Sequence, residues 1–283
     1  MSPTESYSYR LIRFIGGMTW VRWGLRYKLF TFLKPVNVEF TTPFYGRTYR
    51  GNLNNFIDRV VYIFGAHERQ VMEYTGTHIR SDSVVLDIGA NVGHHSLFFS
   101  TKAKEVHAFE PNSAFRKQFD ALMEGNEVSN VHLHMFGLGD ATHDIPYYAP
   151  TGDNQGIGSF VENHEATNRL EGTMSVVKGD EAITALGLQR IDFIKIDVEG
   201  YEEAVLRGLQ ETIRKFRPVI IMEYTHGDFS SGESLSTVIA GYSPYLLRAN
   251  TPFLFFFNNP RCRVGKFDSA RAHGEVLLIP DKE

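Results

Sequence analysis

A glycine loop and a set of carboxylates at fixed spacing carry the chemistry of this sequence. Asp87-Ile88-Gly89-Ala90-Asn91-Val92-Gly93 follows an apolar run and precedes a helix-forming stretch. Gly89 and Gly93 let the main chain turn tightly and approach a ligand. Position 91 is Asn, so the dinucleotide pattern G-x-G-x-x-G is absent, and this weighs against a dinucleotide oxidoreductase. An acidic residue at a strand end, Asp87, suits a positively charged amino group better than a phosphate. S-adenosylmethionine (SAM) carries both a sulfonium and an α-amino group and meets that requirement. Glu110 ends the next apolar run and is followed at once by Pro111. In Rossmann-like sheets an acidic residue about 20 positions past the loop accepts hydrogen bonds from ribose hydroxyls. Asp140, closing Gly137-Leu138-Gly139-Asp140, is positioned to accept from the exocyclic amine of adenine.

A second constellation lies further on. Lys195-Ile196-Asp197-Val198-Glu199-Gly200-Tyr201-Glu202 ends a buried-type run. Ionisable groups at the end of a buried strand are costly unless paired or used. Strand alternation puts Lys195, Asp197 and Glu199 on one face. A Lys195–Asp197 ion pair, with Glu199 as a helix-start charge, satisfies the same pattern. His226, after Glu223-Tyr224-Thr225, can deprotonate a bound hydroxyl near neutral pH. Asp197 is the other candidate base, with Lys195 positioning or polarising. A divalent ion on Asp197, Glu199 or Glu223 is the alternative route to an activated hydroxyl. His132 and His134 share a strand face but lack a third ligand, so no zinc site is expected.

These residues need a sheet to hold them. Apolar runs at Val84–Ile88, Val106–Glu110, Val131–Met135, Ile191–Asp197 and Val219–Glu223 alternate with helical stretches such as Ser113–Gly125 and Tyr201–Lys215. That alternation predicts an α/β fold, a Rossmann-like, mostly parallel sheet of seven strands with helices on both faces. Tyr245–Leu247 with Phe253–Phe257, and Glu275–Pro280, read as an antiparallel pair at its edge. Residues 141–180 show no clear period and read as a long insertion acting as a lid or binding loop. Residues 1–80 divide off as a basic leader and small annex, ahead of a catalytic domain over 81–283.

Composition narrows the partners. A net charge of −4 over 283 residues gives no case for nucleic-acid binding. The single cysteine, Cys262, excludes a disulfide framework within the chain, and with no membrane-spanning run or signal sequence the protein reads as cytoplasmic. Flanking Arg261 and Arg263 are able to lower the Cys262 pKa. Residues 7–34 are basic and aromatic-rich. Leu11, Ile15, Met18, Leu25, Leu29 and Phe32 recur at helical spacing, beside Trp20 and Trp23. Such a segment either contacts a membrane peripherally or packs on the catalytic domain.

Taken together, Val85–Gly93 (VLDIGANVG), Phe109-Glu110-Pro111 and Lys195–Glu202 (KIDVEGYE) resemble the FkbM-type methyltransferases, a branch of the class I SAM-dependent enzymes. The likeness runs over about residues 45–280. Glu223, the closing Val276–Pro280, and Phe64-Gly65-Ala66-His67-Glu68 upstream also fit, and the last of these adds Glu68 to the expected cofactor residues. The Thr-Leu-Asp-Asp-like segment common in the family is replaced by Lys178–Ile183 (KGDEAI). The resemblance implies SAM as cofactor and methylation of a hydroxyl on a small molecule, sugar or glycan. A non-catalytic SAM-fold protein associated with membrane or glycan is the rival expectation, opposed by the intact Asp87, Glu110 and Asp197.

Overall fold

The computed structural model describes residues 7–18, 20–21, 23–150, 168–225, 235–249, 252–253, 257–258, 261–268 and 272–282. In chain order the leader holds α1 (Tyr7–Gly16) and α2 (Trp23–Thr31). A hairpin follows, β1 (Glu39–Phe44) and β2 (Arg47–Asn52), then α3 (Phe56–Phe64), α4 (Arg69–Thr75) and a short 3₁₀ turn. The alternating part runs β3 (Val84–Ile88), α5 (His94–Ser100), β4 (Glu105–Phe109), α6 (Ser113–Glu124) and β5 (Val131–His134). Next come β6 (Gly137–Gly139), β7 (His143–Pro150), β8 (Asn168–Lys178), α7 (Gly179–Ala185) and β9 (Phe193–Ile196). The chain continues through α8 (Glu202–Gly208), α9 (Gln210–Phe216), β10 (Val219–Thr225) and α10 (Leu235–Val238). Strands β11 (Tyr242–Arg248), β12 (Pro252–Phe253), β13 (Phe257–Asn258), β14 (Arg263–Lys266) and β15 (His273–Pro280) complete it.

The main sheet has eight strands in the order β14-β11-β15-β10-β9-β3-β4-β5. From β10 to β5 all neighbours are parallel, and β15, β11 and β14 add antiparallel strands beside β10. The fold is therefore the expected Rossmann-like α/β class, with one strand more than expected because β14 extends the edge. Phe253 and Phe257 do not join it; they pair with each other in the separate β12–β13 ribbon.

Period-two alternation divides the strands between two cores. Val85, Val106, Ala108, Phe193, Ile221 and Leu277 face α3–α6 and the leader. Leu86, Ile88, Phe109, Ile194, Ile196, Ile220, Met222 and Val276 face α7–α10. Both faces are covered, which is why these runs are almost continuously apolar. In the segment read as a long irregular insertion, the described residues include β7 and β8, which join β6 in a three-stranded sheet, β6-β8-β7. Prolines and polar residues in β7, and Asn, Glu, Gly, Thr and Ser positions in β8, hid its alternation.

The leader is built into the first core. Tyr9, Phe30 and Leu33 are buried in it, and the Tyr9 hydroxyl donates to the Lys34 carbonyl at 2.6 Å. Arg26 is also buried, donating to the Gly16 and Val21 carbonyls at 2.7 and 3.0 Å. The expected apolar stripe is split between two helices. Leu11, Leu25 and Phe32 are exposed, as are Phe14 and Trp20. No helix among the described residues is long and apolar enough to cross a membrane.

At the far edge three imidazoles meet. His107 Nδ1 and His134 Nε2 lie 3.0 Å apart with stacked rings, and His107 Nε2 lies 3.1 Å from Glu105. Burial, then the neighbouring imidazoles, pushes His134 down to about 4; burial lowers His107 as well. Unfolded imidazoles take up protons near 6.5. The folded ones resist protonation until lower pH, so the stability they contribute is present above about pH 6.5 and is lost as pH falls towards 4. Urea midpoints should drop between pH 7 and pH 5, and the drop should shrink in His134→Phe. An equal drop in both proteins would remove the imidazole pair as its cause.

Candidate functional site

Strand order reverses at β3 and β9: β4 and β5 follow on one side, β10 on the other. The carboxyl ends at such a switch point open a crevice, which is where an α/β sheet takes its ligand. Gly89 follows β3 and Asp197 follows β9, so both sequence constellations converge there.

The loop after β3 cannot carry a side chain at its tightest point. Gly89 has φ +82, and an added Cβ would stand 1.8 Å from the Asp197 carbonyl oxygen. Its N–H and that of Ala90 donate to the Phe109 carbonyl at 3.0 and 3.1 Å. Asn91 is left-handed too (φ 50), and its N–H donates to Glu110 Oε2 at 2.9 Å. Asn112 N–H donates to Glu110 Oε1, also at 2.9 Å. Glu110 is thus held between the two loops, 7% exposed. Burial raises its pKa to about 7, against those two backbone donors. Gly93, left-handed at φ 87, starts α5.

A cavity of about 380 Å³ opens on this framework. Of the expected cofactor residues, Glu68, Gly89, Asn91 and Glu110 line it, with Ala90, Phe109 and Pro111. Asp87, Gly93 and Asp140 are not among its lining residues. Asp87 is fully enclosed; Ser96 Oγ donates to its Oδ2 at 2.6 Å, while Oδ1 has no hydrogen-bond partner and stands 4.0 Å from Lys195 Nζ. Asp140 is exposed beyond β6. His226 lies outside the described residues.

The opposite wall is acidic. Lys195, Asp197, Glu199, Glu223 and Glu275 line it, with Glu68 close by. Lys195 Nζ contacts Asp197 Oδ2 at 2.9 Å. Burial disfavours both charges, but their attraction outweighs it: Asp197 is held below the usual carboxylate range and the Lys195 ammonium above its own. Glu199 (φ 51) lies past the strand in a loop closed by Glu202, whose carboxylate accepts from Val198 and Gly200 N–H. Burial, reinforced by the Asp197 and Glu223 charges, raises Glu199 to about 8. Burial and then Asp197 raise Glu223 to about 7. Burial pushes Glu275 well above its ordinary value, with Glu68 and Asp197 adding to it. Asp197, Glu199 and Glu223 offer oxygens all within 4.8 Å of one another.

Several lining residues were not singled out from the sequence. Glu275 pairs directly across β10–β15 with Glu223, and a charge opening an apolar strand was its only signal. Tyr147 and Met174 come from the β7–β8 hairpin, and Asn112 Nδ2 donates to the Tyr147 hydroxyl at 3.2 Å. His94 and His95, which the sequence leaves equally open to ligand contact and to packing, also line the cavity; His94, fully buried, accepts from His67 N–H at 3.2 Å and fixes the turn that presents Glu68. Cys262 is not activated: burial raises its thiol to about 11, opposite to the effect expected from its arginine neighbours.

A cationic ligand fits this cavity. Among the lining residues the Lys195 ammonium stands against the carboxyl groups of Asp197, Glu199, Glu223 and Glu275. Glu110 lines the same cavity as the glycine loop, at the end of the next strand.

Residues 87–246, more than half of the chain, match the FkbM methyltransferase domain. The hexuronic acid methyltransferase AglP of Haloferax volcanii is 29% identical over 157 residues, 54% of this chain and 61% of that protein. The chain thus spans less than two thirds of AglP. The 2-O-methyltransferase NoeI of Sinorhizobium fredii is 28% identical over 168 residues, covering 54% of this chain and 68% of NoeI. The solved structure of methyltransferase FkbM from Methylobacillus flagellatus aligns with a TM-score of 0.45 at 16% identity, over 78% of this chain and 52% of that one.

Proposed function

Because this chain belongs to the FkbM methyltransferase family, whose cofactor is SAM, we propose that it methylates a hydroxyl oxygen on a sugar, glycan or secondary metabolite. The carrying observation is one cavity with the Gly89–Asn91 loop and Glu110 on one side and the Lys195–carboxylate cluster on the other. When bound, SAM supplies an electrophilic methyl carbon on a sulfonium. The Gly89–Asn91 backbone and Glu110 hold the cofactor, with Glu68 beside them. The carboxylate excess favours its positive charge. Holding donor and acceptor in a fixed relative orientation removes several kcal/mol of ordering cost from the barrier.

The hydroxyl must also lose its proton. Asp197 is committed to Lys195 and is a weak base for that reason; the pair orients the wall. Glu223 and Glu199 titrate near neutrality, where a general base works best. Glu223 accepts the proton in this reading.

Protein incubated with methyl-labelled SAM and fractionated extracts should deposit label that survives alkaline hydrolysis, as an ether does and an ester does not. Glu110→Ala should weaken SAM binding by about 1–3 kcal/mol in calorimetry. Alkali-labile label would mark a carboxylate acceptor and overturn methylation of a hydroxyl, and unchanged affinity would overturn the ribose role of Glu110.

The exposed Phe14, Trp20 and Phe32 beside Arg10, Arg13 and Lys28 support peripheral contact with an anionic membrane. The whole protein should co-sediment with anionic vesicles in low salt, and Phe14→Ser with Phe32→Ser should abolish this. Removing the leader is a poor test, since Tyr9, Phe30 and Leu33 belong to the core. Vesicle binding that the double variant retains would sink the idea.

A further inference from the structure

A second cavity, of about 480 Å³, adjoins the first and shares Phe56, His67, Glu68 and Glu275 with it. The SAM reading leaves it without an occupant. Its volume lies in the range of small-molecule pockets, roughly 300–1,000 Å³. We propose that it is the acceptor site and that it takes a pyranosyl unit, seated on the aromatic bank of the leader with the reacting hydroxyl directed at the shared wall. This rests on the methyltransferase reading above and adds the place and class of the acceptor.

The lining carries the argument. Trp23 and Tyr27 come from α2, Phe56 and Phe64 from α3. The Trp23 ring lies 4.8 Å from Phe64 and 5.6 Å from Tyr27, so these rings form one continuous bank. Arg26 fixes it by gripping the Gly16 and Val21 carbonyls while its guanidinium sits 5.4 Å from the Trp23 ring. Most of the polar lining has another origin: Arg69, Gln70 and Glu73 stand on α4, with Glu68 at its start, while Arg26 is the charged lining residue of α2. Arg69 and Glu73 are joined at 2.9 Å, which holds their side chains in place.

A pocket with aromatic rings from one pair of helices and most of its charged and amide groups from another suits a ligand with an apolar face and a polar rim. A pyranose has that form: axial C–H bonds lie on a ring, and equatorial hydroxyls need donors and acceptors. A flat aromatic acceptor would leave the α4 groups facing its apolar surface, at a desolvation cost. The shared residues set the direction of entry. Glu275 is the cross-strand partner of Glu223, so a hydroxyl reaching the shared wall meets the carboxylates that line the cofactor cavity.

The chain has two tryptophans, so Trp20→Phe leaves Trp23 as the only indole reporter. With S-adenosylhomocysteine bound, methyl pyranosides of the gluco, galacto, manno and rhamno series are titrated against its fluorescence, with catechol as the aromatic comparison. At least one pyranoside should saturate the signal more tightly than catechol. In otherwise wild-type protein, calorimetry on the same pyranoside should weaken by at least tenfold in Trp23→Ala and in Gln70→Trp, which fills the cavity from the α4 side. S-adenosylhomocysteine affinity should stay unchanged, which separates a blocked acceptor site from misfolding. Tighter binding of catechol, flat titrations with every pyranoside, or normal affinity in Gln70→Trp would overturn the assignment. Pyranoside binding without methyl transfer to any hydroxyl would instead overturn the O-methylation reading and leave this site standing.

Discussion

Glu223→Gln is expected to lower kcat by about 10²–10⁴-fold, the usual contribution of a positioned base. The amide has nearly the same shape and cannot accept the hydroxyl proton. The pH profile is the sharper readout. In the parent protein kcat/KM should rise through about pH 7, where Glu223 loses its proton. In the variant that limb should be gone, with SAM affinity within a few-fold of normal. A full-rate Glu223→Gln enzyme would pass the role to Glu199 or His226. Activity removed by EDTA and restored by Mg²⁺ would make Asp197, Glu199 and Glu223 an ion site instead, as their spacing permits.

Gly89→Ala should act on the whole crevice. The residue has φ +82, which costs a non-glycine residue about 1–3 kcal/mol. The larger penalty is steric: the new methyl would stand 1.8 Å from the Asp197 carbonyl oxygen, which is backbone and cannot swing away. Either the β3 loop or the β9 end must move, and both line the first cavity. The variant should lose at least about 3 kcal/mol of stability, together with calorimetrically detectable SAM binding. A substitution to Ala at exposed Gly172, where an added Cβ meets nothing within 4 Å, is the control and should change neither. Near-normal stability and binding in Gly89→Ala would mean that the close approach is not required.

The strands around the switch point were legible because both faces of the sheet are covered, which makes Val84–Ile88 and Ile191–Ile196 short apolar blocks bounded by turns. The glycine loop, Glu110 and the Lys195–Glu202 segment were legible for the same reason: charge at the end of such a block stands out. Asp87 shows the limit of that logic. It sits in β3 in register with Lys195, and strand position alone does not say whether a carboxylate faces ligand or lysine. The β7–β8 hairpin was missed because polar residues occupy much of it. Glu275 was missed because its meaning depends on a cross-strand partner 52 positions earlier, a pairing that local periodicity cannot reveal. The leader was read as either packing or membrane contact; its core-facing rings and its exposed rings come from the same two short helices, so no single stripe separates them.

The position of β15 has a consequence for how the protein is made. This strand enters the sheet between β10 and β11, although it follows both in the chain. Synthesis runs from the amino end, so β10 emerges as an edge strand and stays one until residues 273–280 are free of the ribosome. During that interval Ile220 and Met222 lack their neighbours Leu278 and Val276, and a row of backbone donors and acceptors is open to pairing with other chains. The nascent chain stays exposed to aggregation along β10 until β15 has emerged and paired. Glu275 arrives on the same strand, so the acidic wall is complete only once β15 has paired with β10.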